Sequence, residues 1–145
     1  MITNERQYRI AKAELRRFEE SAEAQAARQP SPGVDPRIHA AMGEALASEA
    51  EELARQIQRY EDLRDGRISE QELESLRDVP VTLIEARIAA RLTQKALAER
   101  LGLPEQQIQR WESTLYSGVG VDRLQDIAEA LDVEIRETVN FGVTA

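Results

Sequence analysis

The stretch LTQKALAERLGLPEQQIQRWE, Leu92 to Glu112, decides how the chain folds. Thr93 can cap a helix, because its hydroxyl stands where the first unpaired amides need an acceptor. Ala96, Leu97 and Leu101 then follow at helical spacing and are expected to face inward, with Ala98 keeping the outer side slim. Gly102 supplies the left-handed residue that ends this helix. Leu103 plugs the core, and Pro104 starts a second helix in which Ile108 and Trp111 point inward. Glu105, Gln106, Gln109 and Arg110 are left on the outer face, and amides beside a guanidinium are groups suited to reading base edges.

Further helical patterns surround this core at about 81–91 and 121–131, the first after the Val79-Pro80 breaker. The tail changes period. Val133, Ile135, Val139, Phe141 and Val143 alternate with Glu134, Arg136, Thr138, Asn140 and Gly142, which is strand spacing. A lone terminal strand needs a partner, so pairing with its copy in a second subunit is expected. Val133, Ile135, Val139 and Phe141 would then form the dimer strand.

Ahead of the core, Tyr8, Ala11, Leu15, Phe18 and Ala22 recur at spacings of 3 and 4, the narrow seam of a coiled coil. QPSPGVDP, residues 29–36, holds three prolines and a glycine and ends that helix. A second long helix starts at Pro36 and runs to about Arg64 with the seam Leu46, Ala50, Leu53, Ile57 and Tyr60. Two long amphipathic helices on a short connection predict an antiparallel hairpin. Ser69 and Glu72 are spaced as a capping box, which predicts a short helix over 69–77. The expected organisation is a mainly α chain with a helical hairpin arm at 1–66, a linker with a short helix at 67–80, and a helix-turn-helix domain with a C-terminal strand at 81–145.

Composition bounds the function. With 145 residues, one modest core is all that can be built. The absence of cysteine excludes a disulfide framework, a thiolate zinc site and a cysteine nucleophile, and fits a reducing compartment such as the cytoplasm. The opening MITNERQYRI lacks the layout of a signal peptide, and no apolar run approaches the roughly 20 residues of a membrane span, so no membrane partner is expected. No constellation of base, nucleophile and electrophilic stabiliser can be assembled, so enzymatic activity is not expected, and neither is a cofactor.

LIEARIAARLTQKALAERLGL, QQIQRWE and RLQDIAEALDV together resemble the Xre/Cro family of helix-turn-helix regulators, which includes the lambdoid phage repressors. The resemblance covers about Leu83 to Val133, and implies a lambda-repressor-like domain that represses transcription from a palindromic operator as a homodimer. By position it implies base readout by Gln106 and Arg110, with Glu105 and Gln109 contributing. It implies phosphate contacts from Gln94, with Gln107 and Thr93 beside it, and a structural salt bridge between Arg87 and Glu112. WESTLY followed by GVGVDRL departs from the common pattern, which has a glycine near Thr114, and is similar to the HigA-type antitoxin branch. ITNERQYRIAKAE and YEDLRDGRI resemble the extra N-terminal helices of that branch. A toxin bound by the arm, in a toxin-antitoxin operon that represses itself, is what this implies.

The formal net charge of -8 must be reconciled with DNA. Within 81–111, Arg87, Arg91, Lys95, Arg100 and Arg110 face only Glu85, Glu99 and Glu105, so the acidity lies elsewhere. Weak phosphate attraction predicts weak binding to random DNA and reliance on direct readout and dimer geometry. The acidic arm also suits a basic partner, as a ribosome-associated RNase toxin would be.

Several features have a plainer reading. Glu61 to Glu72 imitates a calcium loop, but Glu61 and Leu63 spoil the ligand positions. His39, the only histidine, reads as a solvated helix residue. Trp111 fits the core better than base stacking, Tyr116 is open, and the arm is either a dimerisation device or a partner-binding surface. The alternative for the whole chain is a protein-interaction module whose helix-turn-helix no longer binds DNA.

Overall fold

A computed structural model describes residues 1–142. Its helices are α1 (Glu5–Ala27), α2 (Pro36–Arg64), α3 (Val79–Ala89), α4 (Gln94–Leu101), α5 (Glu105–Ser113) and α6 (Val121–Ala130). They fall into two compact units, Met1–Gln71 and Glu72–Ala145. Among the described residues, no helix is long and apolar enough to cross a membrane.

The first unit is a two-helix hairpin. Asn4 caps α1 by accepting from the Gln7 amide at 2.9 Å, and Gln7 returns the favour by accepting from the Thr3 amide at 2.8 Å. Asp35 caps α2 through the Arg37 amide at 2.8 Å, with Pro36 in the first turn. The helices run antiparallel: Tyr8 stacks on Tyr60 with ring centroids 5.1 Å apart, while Gln25 at the far end reaches His39 Nδ1 at 3.0 Å. His39 is therefore a half-buried seam residue and not a solvated one. Burial is concentrated at the base, where Ala11, Ile57, Tyr60 and Leu63 are enclosed. The Tyr8 hydroxyl donates to Glu61 at 2.5 Å, and Lys12 lies 3.7 Å from the same carboxylate. After α2, Arg67 donates to Asp62 at 2.6 Å.

The connection to the second unit differs from the sequence reading. Residues 69–75 are not helical, and Ser69 and Glu72 make no cap. A single 3-10 turn at Leu76–Asp78 carries the capping box instead, between Ser75 and Asp78. Pro80 does not break a helix but sits in the first turn of α3, where its missing amide needs no partner.

In the second unit α3 to α6 enclose Leu83, Ile84, Leu97, Ile108 and Ile127, all fully buried. The expected C-terminal strand is corrected: among the described residues there is no strand, and 133–142 run without regular structure. The Val133 amide donates to Ala128 at 2.9 Å, closing α6 where a ladder bond was expected. Asp132 takes a left-handed φ of 57° at that turn. With no other strand among the described residues to offer the tail an edge, Val133 and Ile135 are half-buried and Val139 and Phe141 exposed, outside any strand. Val143 lies outside the described residues.

Candidate nucleic-acid interface

The helix α5 is held from behind. Arg87 on α3 grips Glu112 on α5 with two parallel bonds, Nε to Oε1 at 2.6 Å and Nη2 to Oε2 at 2.8 Å. Its Nη1 donates to the Leu92 carbonyl at 2.8 Å, so one side chain ties α3, the loop before α4, and α5 together. Both charges are almost wholly buried, 3% and 1% exposed, which makes the fork-to-fork geometry essential.

Gln94, expected at a phosphate, turns inward. Its Nε2 donates to Glu112 Oε2 at 2.7 Å, and the residue is buried. The spacing held the signal, because Gln94, Leu97, Ala98 and Leu101 share one face of α4 by helical phase. Ala98 is accordingly buried rather than on the outer side.

Thr93 accepts from the Ala96 amide at 3.0 Å and begins α4. Gly102 ends it at φ 66°, and the Leu103 amide closes back on Ala98 at 2.9 Å. Pro104 then leads into α5, where Ile108 is fully buried and Gln107 half-buried. Glu105, Gln106, Gln109 and Arg110 are exposed on the outer face. Gln109 donates to Glu105 at 3.2 Å. Among the described residues the side chains of Gln106 and Arg110, one turn apart, have no protein partner, so their donors are available to a ligand. Lys95 is exposed on α4, whereas Arg100 is turned to the Ala130 carbonyl at 2.8 Å.

The segment after α5 has the different backbone that its composition requires. Thr114 keeps a negative φ of -102°, and Leu115 and Tyr116 take left-handed values of 51° and 56°. The Ser113 hydroxyl donates to the Arg110 carbonyl at 2.8 Å, and the Thr114 hydroxyl to the Trp111 carbonyl at 3.2 Å, so the helix end is satisfied by side chains. The Tyr116 amide donates to the Trp111 carbonyl at 2.7 Å. Tyr116 is buried, its ring 6.2 Å from that of Trp111, and its hydroxyl has no partner among the described residues. Burial first, and the Glu112 charge second, push the phenol well above its ordinary range. Trp111 itself is half-buried, with the Arg123 guanidinium 5.9 Å from its ring centroid. Nothing periodic marked Tyr116, since it stands in a loop.

Residues 83–137, a little over a third of the chain, match the family described as Helix-turn-helix. No curated protein and no solved structure matches the chain.

Proposed function

We propose that the second unit is a sequence-specific DNA reader and that the chain is a transcriptional repressor. The observation that carries this reading is the exposed pair Gln106 and Arg110 on a helix fixed from behind by the Arg87–Glu112 ion pair. With α5 in the major groove, Arg110 would take a guanine edge and Gln106 an adenine edge, with Glu105 and Gln109 beside them. Thr93, the first amides of α4, Lys95 and Gln107 would meet phosphates and fix the register. Gln94 contributes mainly by orienting Glu112. Two copies on a palindromic operator, with half-sites about one helical turn apart, complete the reading.

Base-by-base substitution within the operator half-site tests the roles. Arg110→Ala and Gln106→Ala are each expected to cost about 1–3 kcal/mol and to relax the preference at one position. Equal loss on every sequence would remove direct readout from both residues.

The finer setting is an antitoxin that represses its own operon in the cytoplasm while the arm holds a toxin. The resemblance of the N-terminal helices supports it, together with the acidity of the arm, where residues 18–27 and 38–54 carry acidic side chains and no lysine or arginine. Co-purification with the product of a neighbouring gene is the expected result, and its failure from the native operon would remove the toxin. The exposed Glu105, which would repel phosphates, favours the second reading of a protein-interaction module. On that reading Arg110→Ala leaves every activity unchanged.

A further inference from the structure

The charge on α1 runs against the dipole of the helix. Arg6, Arg9, Lys12, Arg16 and Arg17 come first, Glu19, Glu20 and Glu23 follow, and the last turn holds no basic residue. Cations are favoured at the opposite end of a helix, and like charges three or four positions apart repel, as Arg6, Arg9, Lys12 and Arg16 do in succession. Helical stability does not account for this order. Lys12 lies 3.7 Å from Glu61, but Arg6, Arg9, Arg16 and Arg17 are exposed and have no side-chain partner among the described residues. On α2 and beside its ends, by contrast, Arg37, Arg55, Arg64 and Arg67 each hold a carboxylate, at 2.9, 2.8, 2.9 and 2.6 Å. By helical phase the four arginines of α1 fall within an arc of about 100°, centred opposite the seam of Tyr8, Ala11, Leu15 and Phe18. Glu5 and Glu14 fall outside that arc, and Glu5 accepts from the Tyr60 hydroxyl at 3.4 Å. Glu20 ends the stripe on the side of the tip. A face of guanidinium groups about 16 Å long is thus turned away from α2.

We propose that this stripe is a second DNA contact, lying along the phosphate backbone of the duplex that α5 reads; it rests on the DNA reading proposed above. A guanidinium takes two phosphate oxygens at once, so four on one face suit a regular row of phosphates. A duplex carries one charge about every 1.7 Å of its axis, so a face of this length meets phosphates enough for all four. The ligand is also at hand. Residues 65–78 join the hairpin to α3, so once α5 is docked the second contact forms within one complex, at an effective concentration in the roughly millimolar range. The acidic stretches 18–27 and 38–54 are repelled by the same backbone, which confines the contact to the N-terminal part of α1. Backbone contacts carry no base preference, so specificity stays with α5. Four arginines beside Lys95 also keep the number of neutralised phosphates small.

Fluorescence anisotropy of the full chain over a series of salt concentrations tests this, on DNA from upstream of its own gene and on random DNA. Arg9→Ala combined with Arg16→Ala is expected to weaken binding to both duplexes and to reduce the slope of log K against log salt by about 2. Helical content by circular dichroism is expected to be unchanged and the melting temperature unchanged or higher, because the substitutions relieve repulsion along α1. Arg37→Ala combined with Arg55→Ala removes the same charge from α2 and is expected to leave the slope as it is. An unchanged slope in the α1 variant overturns the contact, and if Arg110→Ala still abolishes binding, reading by α5 stands without it. A slope that falls by about 2 while Arg110→Ala has no effect keeps the contact and removes reading by α5. No binding to either duplex overturns both. A variant that alters sedimentation of the free chain with the slope unchanged would assign the stripe to the acidic tip of a second copy, and overturn the DNA contact.

Discussion

Tyr116 shows how a single side chain sets the limits of stability here. Its buried hydroxyl has no partner among the described residues, so removing it takes away a desolvation cost rather than a bond. Tyr116→Phe is expected to leave stability unchanged or raise it by up to about 1 kcal/mol, read by the fluorescence of Trp111, the only tryptophan. A loss above about 1 kcal/mol would mean that the hydroxyl is bonded. The pH dependence has a definite sign. Because the folded phenol is raised, the unfolded chain releases its proton first, and stability falls as pH climbs above about 10. In the Phe variant that alkaline loss is reduced. Arg87 and Glu112 behave oppositely: Arg87→Ala strands a buried carboxylate and is expected to cost about 3–5 kcal/mol in denaturant unfolding. Gln94→Ala is expected to cost less, because Arg87 still holds both oxygens of Glu112.

The turn between α4 and α5 fixes how the outer face of α5 is presented. Gly102 has open space around it, but its φ of 66° penalises any other residue, so Gly102→Ala is expected to lose about 1–2 kcal/mol. An unchanged unfolding midpoint would show that the turn can relax. Helical elements were legible in the sequence because caps, prolines and 3.6-residue spacing act locally: Thr93, Pro36 and Gly102 each stand at a boundary. Helical phase likewise placed Gln106 and Arg110 on an outer face. Apart from the capping-box spacing of Ser69 and Glu72, a local signal that the chain uses at Ser75 and Asp78 instead, what escaped was non-local or unperiodic. The inward turn of Gln94 depends on Glu112, 18 positions away, and the burial of Tyr116 on a left-handed loop no pattern announces. Among the described residues the tail, 133–142, kept strand alternation without a strand, since alternation predicts a face but cannot supply an edge to pair with.

At the scale of the whole molecule, acidity and DNA reading are reconciled by segregation. The hairpin carries the acidic stretches 18–27 and 38–54, while α4 and α5 present Lys95 and Arg110. Few phosphates are neutralised, so random DNA is expected to bind weakly and with a shallow dependence on salt. Lys95→Ala is expected to weaken all sequences alike and to reduce the slope of log K against log salt by about 1. A sequence-dependent loss would instead make Lys95 a base reader. The most direct measurement is fluorescence anisotropy of the chain on DNA from upstream of its own gene, with random DNA as competitor, repeated with Arg110→Ala. Saturable binding that survives the competitor and is lost in the variant is the expected result. Binding no tighter than to random DNA, and indifferent to Arg110, would contradict sequence-specific reading by α5.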